Sequence, residues 1–526
     1  MSTEDRGARL ARRIADLYDT DPQFSAARPD DSVSAAIDSP DLSLHEIAQT
    51  VMAGYAQRPA LGQRATRLVN GADGRTTVEL LGEFDTITYR ELWDRAGALA
   101  AAMTDLRLGD RVCMLGFNSV DYTVVDVALI RAAAVSVPLQ TSAPIRQIRP
   151  IVEETEPAVI AAAVDYLDDA VEVALSAHMP RRLVVFDYRP EVDSHRDALH
   201  AAIARLSGSP VVVETLAELV ERGRTLPAAQ RVLRDGDDLA LLIYTSGSTG
   251  TPKGAMYPDR MVAHSWLRSS RAAWGDASHE PAITLNFLPM SHVMGRANLY
   301  ATLGAGGTAY FAAKSDLSTL LDDIALVRPT QLSFVPRVWD MLFQEFQRQQ
   351  IPGDVARRSL LGGRFVSAMT GSAPISPEMK DWVESLLDMH LTEGYGSTEA
   401  GAVFVDGVVR RPPVIDYKLV DVPELGYSRT DRPHPRGELL VKSTGLFPGY
   451  YKRPEVTAEV FDADGYYRTG DFVAETGPDR LEYLDRRNNV LKLSQGEFVT
   501  VSKLEAVFGD SPLVQQIYIY GNSARA

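Results

Sequence analysis

Leu241-Leu242-Ile243-Tyr244-Thr245-Ser246-Gly247-Ser248-Thr249-Gly250-Thr251-Pro252-Lys253-Gly254 joins an apolar run to a loop rich in hydroxyls and glycine, and the rest of the chain is arranged around it. The apolar run from Leu239 to Tyr244 predicts the end of a buried strand. Past Tyr244 the chain is almost entirely Ser, Thr and Gly up to a closing lysine. Glycine lets a backbone approach an anion closely and adopt positive φ. Successive backbone N–H groups in such a turn form an anion-binding concavity. The hydroxyls of Thr245, Ser246, Ser248 and Thr249 add donors and Lys253 adds a point charge, which together are what a polyphosphate needs. The stretch is not a Walker A loop, because Pro252 precedes Lys253 and Gly254 follows it. A Gly/Ser linker has a similar composition, but linkers rarely follow a fully apolar strand or end in Pro-Lys-Gly.

Outward from this loop, the chain on both sides alternates strands with helices. Upstream, residues 7 to 18 predict a short amphipathic helix with Leu10, Ile14 and Leu17 on one face. Asp30 to Pro40 reads as a polar surface link, and residues 44 to 56 resume helical spacing. Thr88-Tyr89-Arg90-Glu91 has capping-box spacing before an Ala/Leu-rich helix ending near Met103. Strands are expected at Arg111–Gly116, Val135–Val137, Ala158–Ala163 and Arg182–Phe186, with a helix at Asp121–Ala134. Downstream, strands are expected at 283–288, 308–311, 331–335 and 364–369, with a helix at 298–303. Such alternation implies a largely parallel sheet with helices on its faces. Beyond Gly401 short β-type runs at 417–420, 437–441, 472–475 and 481–484 alternate with Gly and Pro, a mainly β section read as a distorted barrel. After Leu484 comes a polar segment, then a strand at Val490–Leu493, a helix near Ser502–Phe508 and a strand at Gln516–Tyr520. That is too little material for an independent core, so it reads as the start of a small domain.

With 526 residues the chain can hold several packed units. Its 45% hydrophobic and 24% charged residues are those of an ordinary globular protein. Seventy acidic against 54 basic residues give a formal charge of −16, which argues against a nucleic-acid partner. The single cysteine, Cys113, rules out an internal disulfide and a Cys-rich zinc site, and its apolar neighbours predict a buried thiol. The first residues carry no signal-peptide core, and the best apolar run, Val124–Leu139, is broken by Asp126 and Arg131. No membrane association is therefore expected, and a cytoplasmic setting fits.

A second signal is Glu393-Gly394-Tyr395-Gly396-Ser397-Thr398-Glu399. Gly394 and Gly396 suit a tight turn against a planar ligand, and Tyr395 offers a ring to adenine. Thr398 can donate to an α-phosphate, and Glu399 is a hard oxygen ligand for Mg²⁺ shared with phosphates.

The order Thr-Ser-Gly-Ser-Thr-Gly-Thr-Pro-Lys-Gly resembles the phosphate loop of the adenylate-forming superfamily, and Tyr395-Gly396-Ser397-Thr398-Glu399 resembles its Tyr-Gly-x-Thr-Glu motif. A finer resemblance is to the adenylation domains of carboxylic acid reductases. It rests on Tyr257-Pro258-Asp259-Arg260, on Gly449 to Glu455 and on Asp485-Arg486-Arg487-Asn488-Asn489 through Val499, and it spans nearly the whole chain. It implies an α/β fold: a large N-terminal domain (1–484) of two α/β sheets plus a distorted β-barrel, a hinge at 485–489, and the truncated start of a small C-terminal α+β subdomain (490–526). Asp485 to Asn488 replaces the usual Gly-Arg-x-Asp hinge, leaving the hinge residue open between Asp485 and Asn488.

The resemblance also implies ATP, AMP and Mg²⁺ as ligands and a small carboxylic acid as substrate. The acid attacks the α-phosphorus, giving acyl-AMP and pyrophosphate. Lys253, Ser248, Thr249 and the metal neutralise the departing group. Thr245, Ser246, Glu393 and Gly394 fall to the nucleotide site. By the same resemblance Asp471, in Tyr467-Arg468-Thr469-Gly470-Asp471, holds the ribose hydroxyls, Arg486 also reaches the ribose, and Tyr483 contacts the nucleotide. Gly371-Ser372-Ala373-Pro374 lines the adenine and carboxylate pocket. His292 contacts the carboxylate and AMP without acting as a base, because the substrate is already an anion near neutral pH. Lys492 matches the lysine soon after the hinge, and the lysine that bridges carboxylate and α-phosphate is expected past position 526, so weak adenylation is expected of this chain. Phosphopantetheine and NADPH would serve carrier and reductase domains of the full-length protein, for which no carrier serine motif or dinucleotide loop is found here. A freestanding acyl-CoA ligase and a non-catalytic nucleotide-binding module are the alternatives.

Overall fold

The computed structural model describes residues 3–39, 42–230, 232, 234–246, 251–268, 279–492 and 498–501, with positions 504, 505, 508, 514, 517 and 519. Their centre is a seven-stranded sheet. Across it run Val212–Thr215, Arg182–Phe186, Val159–Ala163, Arg111–Leu115, Val135–Pro138, Leu239–Ser246 and Pro252–Pro258. Only the last pairing, the hairpin ahead of Lys253 and beyond, is antiparallel. Every residue of Val159–Ala163 is buried. Unbroken apolar strands of this kind are required when helices cover both faces of a parallel sheet.

One face packs on Leu92, Ala96 and Leu99 of the helix Tyr89–Ala102 and on the helix Val120–Ala132. The other packs on Ile148, Val152, Leu167 and Val171. Cys113 lies on that second side, wholly buried, with its thiol pushed up to about 12 by burial. The helix Tyr89–Ala102 starts where the sequence predicts: Glu91 N donates to Thr88 Oγ1 at 3.2 Å and Thr88 N donates to the Glu91 carboxylate at 2.7 Å.

A nine-stranded sheet runs in the order Gln331–Phe334, Ser367–Gly371, Thr392–Ser397, Gly401–Val405, Val408–Val409, Arg480–Arg486, Tyr467–Gly477, Arg436–Ser443 and Val414–Val420. Its first three strands are parallel and the rest antiparallel. The β-rich section read as a distorted barrel is therefore the antiparallel continuation of this open sheet. The two-residue strand Val408–Val409 lets Arg480–Arg486 pair onto the parallel part, so the strands extend one sheet instead of closing on themselves.

A four-stranded sheet contains two of the expected strands and a long hairpin that the sequence does not announce. It joins the long hairpin Pro59–Asn70 and Thr76–Thr88 to Thr308–Phe311 and Ile283–Asn286. The hairpin strands alternate weakly and are largely exposed beyond Ala65, so they carry little periodic signal.

Other boundaries also moved. The first helix runs Thr3–Thr20. The stretch read as a surface link holds the helix Asp31–Ile37, capped by the Asp30 carboxylate at 2.8 Å from Ser32 N and burying Val33, Ser34 and Ile37. Arg364 is a buried side chain ahead of its strand, donating 2.7 Å to Val327 O. Val490–Lys492 pairs antiparallel with Phe498–Thr500. The helix near 502–508 and the strand at 516–520 fall for the most part outside the described residues.

Candidate active site

The phosphate-loop hairpin brings Thr245 opposite Lys253 and Tyr244 opposite Gly254. A Cβ at Gly254 would lie 2.8 Å from the Tyr244 ring, so only glycine lets that ring lie across the hairpin. The Tyr244 hydroxyl donates to Glu154 Oε2 at 2.6 Å, and Arg453 Nε donates to Glu154 Oε1 at 2.7 Å. One carboxylate thus ties the strand end to the segment Gly449–Arg453. That segment in turn lies along the second hairpin strand: Tyr451 N donates to Gly254 O at 2.8 Å, and Met256 N to Gly449 O at 3.1 Å. The Ser246 side chain and residues 247–250, which include Ser248 and Thr249, lie outside the described residues.

The second predicted turn is a strand, Thr392–Ser397. Tyr395 stacks on Phe404 with ring centroids 4.4 Å apart and planes 13° from parallel. Its hydroxyl donates to Asp471 Oδ2 at 2.5 Å, and Arg486 Nε donates to Asp471 Oδ1 at 3.0 Å. The Tyr483 ring lies 5.8 Å from that of Tyr395. Four residues singled out separately in the sequence therefore meet. Asp471 is 1% exposed, and burial pushes its carboxyl above the ordinary range against the pull of Arg486 and Tyr395. Its segment is part of the strand Tyr467–Gly477, which starts ahead of the β run expected at 472–475 and sets Asp471 opposite Arg486 in the ladder. At Gly396 a Cβ would come within 2.3 Å of Gly401 O, so the strand exit toward Thr398 needs glycine.

Thr398 and Glu399 come directly after that exit. Glu399 is buried, 8% exposed. Tyr450 Oη donates to Glu399 Oε1 at 2.9 Å, Phe447 N donates to Glu399 O at 2.9 Å, and Tyr257 Oη donates to Thr398 O. The Lys253 ammonium sits 5.6 Å from the centroid of the Tyr450 ring. The two sequence signals, more than a hundred residues apart, therefore face one another across Tyr450. Sequence reading had not assigned roles to Tyr257 or Tyr450. Both stood in runs quoted only as family markers, and nothing local distinguishes them from packing tyrosines.

Other predicted residues lie at the margins. Gly371 pairs with Gly394 as the last rung of the parallel ladder, and Ser372 follows directly after it. Ser372 is exposed with φ 68°, a strained conformation for a residue with a Cβ. Glu393 turns its carboxylate to Lys380, 2.6 Å away. His292 precedes the helix Val293–Gly304, and desolvation lowers its pKa, favouring the neutral ring. The loop ahead of it is clamped by Asn118, also unread in the sequence: Asn118 Nδ2 donates to Leu288 O at 2.7 Å, and Met290 N donates to Asn118 Oδ1 at 3.3 Å. The Lys492 side chain lies outside the described residues.

Among the described residues no group of three or more His, Cys, Asp or Glu could hold a metal ion. Glu399 alone therefore fits Mg²⁺ only as one ligand of a shell completed by water and phosphate, the usual way this hard ion is held. A polar cavity of about 320 Å³, lined by Asn118, Asp165, Asp187 and Lys314, contains none of the residues nominated from the sequence.

A family model described as AMP-binding enzyme matches residues 65–451. The chain is 64% identical to a carboxylic acid reductase of Mycobacterium tuberculosis, over 100% of this chain and 46% of that protein. It is 50% identical to the carboxylic acid reductase of Segniliparus rugosus, over 99% and 46%. It thus spans about half the length of the curated relatives it matches. Among solved structures, the adenylation domain of a carboxylate reductase from Mycobacterium chelonae superposes with a TM-score of 0.94 at 54% identity, covering 99% of this chain and 83% of that one. The A domain of the Segniliparus rugosus reductase, solved with AMP and a co-purified carboxylic acid, gives 0.93 at 48% identity, covering 98% and 85%.

Proposed function

The chain belongs to the AMP-binding enzyme family, within it to the adenylation domains of carboxylic acid reductases, and from that premise we propose that it converts a carboxylic acid and ATP to acyl-AMP and pyrophosphate, the first step of reduction to an aldehyde. The observation that supports this reading is that one short segment carries both Glu399, which meets Tyr450 and through it Lys253, and Tyr395, which meets Asp471 and through it Arg486. The first group suits the β- and γ-phosphates, the second the nucleoside.

In the step itself a carboxylate oxygen attacks the α-phosphorus. A P–O bond to the acyl group forms, and the P–O bond to the β-phosphate breaks, its electron pair leaving with pyrophosphate. No proton moves, so no general base is needed. Catalysis consists of holding the two reactants in line and neutralising charge as it develops. Lys253 and the hydroxyls and amides of the phosphate loop take the departing group. Thr398 donates to the α-phosphate. The Asp471 carboxylate accepts the ribose hydroxyls while Arg486 holds its other oxygen. His292 donates to the acid. Mg²⁺ held between Glu399 and the phosphates would supply further positive charge.

The segment 485–489 serves as hinge between the large part and the residues from 490 onward. Buried Asp485 and the ion pairs from Arg487 to Glu438 at 3.0 Å and Glu424 at 2.9 Å anchor its near side. In the longer protein a phosphopantetheine carrier would accept the acyl group and an NADPH-dependent domain would reduce it. No helix among the described residues is long and apolar enough to cross a membrane, and a cytoplasmic supply of ATP and NADPH suits the reaction.

The test is carboxylate-dependent exchange of labelled pyrophosphate into ATP. Lys253→Ala is expected to raise the ATP concentration needed at least 10-fold, since a charge-assisted contact is worth about 1.5–3 kcal/mol. Exchange that ignores added acid, or an ATP dependence unchanged by Lys253→Ala, would overturn the assignment. Acyl-CoA formed from added coenzyme A, with no aldehyde from the longer protein, would point instead to a ligase.

A further inference from the structure

Tyr450 stands where three parts of the site meet, and its contacts to Ala255, Lys253 and Glu399 all reach across distant parts of the chain. Its backbone bridges to Ala255 on the second hairpin strand. Its neighbours are pinned to the same strand through Tyr451 N to Gly254 O at 2.8 Å and Met256 N to Gly449 O at 3.1 Å. Its own N–H donates to Thr457 Oγ1 at 2.9 Å, and its ring packs edge-on against buried Phe447, centroids 4.8 Å apart. The ring therefore has little freedom. From this fixed seat the hydroxyl reaches Glu399 Oε1 at 2.9 Å, while the ring lies 5.6 Å from the Lys253 ammonium.

A carboxylate on a short side chain can rotate, and a rotated carboxylate presents the wrong lone pairs to a cation. A hydrogen bond from a rigid neighbour fixes the rotation and so sets the affinity for metal. An aromatic ring within about 6 Å of an ammonium also holds it electrostatically. We infer that Tyr450 is a positioning residue for the metal–triphosphate end of the site: its hydroxyl orients the Glu399 carboxylate toward the cation, and its ring holds Lys253 toward the phosphates. The inference rests on the reading of Glu399 as the protein's ligand to Mg²⁺.

Binding measured without turnover tests it. ATP is titrated calorimetrically into the protein at a series of Mg²⁺ concentrations, and Mn²⁺ is followed by electron paramagnetic resonance in the presence of ATP. Tyr450→Phe keeps the ring and its packing and removes only the hydroxyl. It is expected to raise the metal midpoint for ATP binding about 10-fold, while leaving AMP affinity in chelator unchanged. A merely structural role would lower both affinities together and leave the midpoint in place. Tyr450→Leu, lacking the ring, is expected also to weaken metal-free ATP binding several-fold relative to Tyr450→Phe, and equal values would overturn the Lys253 half. Glu399→Gln separates this inference from the reading beneath it. A shifted midpoint in Glu399→Gln with an unshifted one in Tyr450→Phe would overturn the inference alone. An unshifted midpoint in Glu399→Gln would overturn the role of Glu399 as ligand.

Discussion

Burial normally disfavours the charged form of a carboxyl, yet the Asp471 position needs an anion if it is to accept two ribose hydroxyls. Its surroundings show how this is managed. Burial pushes the carboxyl up, and the Arg486 guanidinium and Tyr395 hydroxyl pull it back without cancelling the rise. AMP binding should therefore weaken, as pH falls, at a higher pH than an ordinary aspartate near 3.9 would give. Asp471→Asn, which cannot titrate, should lose this dependence. It should also bind AMP about 10- to 100-fold more weakly, from the loss of hydrogen bonds to a charged acceptor worth about 1.5–3 kcal/mol. Calorimetry at several pH values checks both, and an Asn variant with the wild-type pH profile would count against the ribose role. The same residue scale explains what the sequence showed clearly. Glycines, hydroxyls, Lys253 and Glu399 stand out by type and spacing, because a phosphate or a metal site would demand those types. Tyr450, Tyr257 and Asn118 do not, because tyrosine and asparagine serve equally well as packing residues and turn residues. Glu393, standing inside the motif, turns its carboxylate to Lys380, a contact that no spacing in the chain announces.

At the scale of elements, the helix Val293–Gly304 carries His292 at its start and is locked to the helix Val120–Ala132 by a buried cluster. Arg296 Nη2 donates to Asp126 Oδ2 at 2.6 Å, Ser136 Oγ donates to Asp126 Oδ1 at 2.7 Å, and the Tyr300 hydroxyl also donates to Asp126. Asp126 is 1% exposed. Breaking a buried ion pair from one side leaves an uncompensated charge, which costs about 3–5 kcal/mol. Asp126→Asn is expected to lower stability by about that amount in urea unfolding followed by fluorescence. Trp266, stacked on Tyr300 with centroids 4.8 Å apart, is the natural reporter. An unchanged midpoint would show that the pair contributes no net stability. In the sequence Asp126 and Arg131 served only to break an apolar run; helices were expected at Asp121–Ala134 and 298–303, but not their contact with each other. Strands were legible where both faces are covered, as in Arg182–Phe186, which is apolar after its first residue. They were missed in Thr76–Thr88, where exposed positions erase the pattern.

Over the whole molecule, the first helix is stapled to a segment more than 370 residues away. Arg6 pairs with Glu384 at 2.7 Å and Arg9 with Asp388 at 2.7 Å. Glu384 also meets His390 Nδ1 at 2.8 Å, and His390 Nε2 meets Asp406 at 3.0 Å, beside the start of the strand that carries Tyr395. The Asp406 hydrogen bond, with help from Glu384, raises the His390 pKa above its ordinary value near 6.5. A folded pKa raised above the unfolded one stabilises fully below the unfolded value, and that contribution is lost as pH rises through the folded value. The melting-temperature gap between wild type and His390→Gln should therefore be largest below about pH 6.5 and shrink at higher pH. A gap that widens with rising pH would refute the sign.

The chemistry on offer and the local elements that present it are written in the order of residues. A Ser/Thr/Gly-rich loop closed by lysine, a Tyr-Gly-x-Thr-Glu motif and each fully buried strand are specified within a dozen residues, by hydrogen-bonding capacity, φ freedom and unbroken apolar runs. Tertiary structure alone decided which of these offers meet. The β section became an extension of a nine-stranded sheet through the two-residue strand Val408–Val409, and one tyrosine near position 450 came to lie between Lys253 and Glu399. Contacts between residues about 50 to 200 positions apart leave no periodic trace in the chain. They arise from burial and sheet pairing, which act on the folded whole.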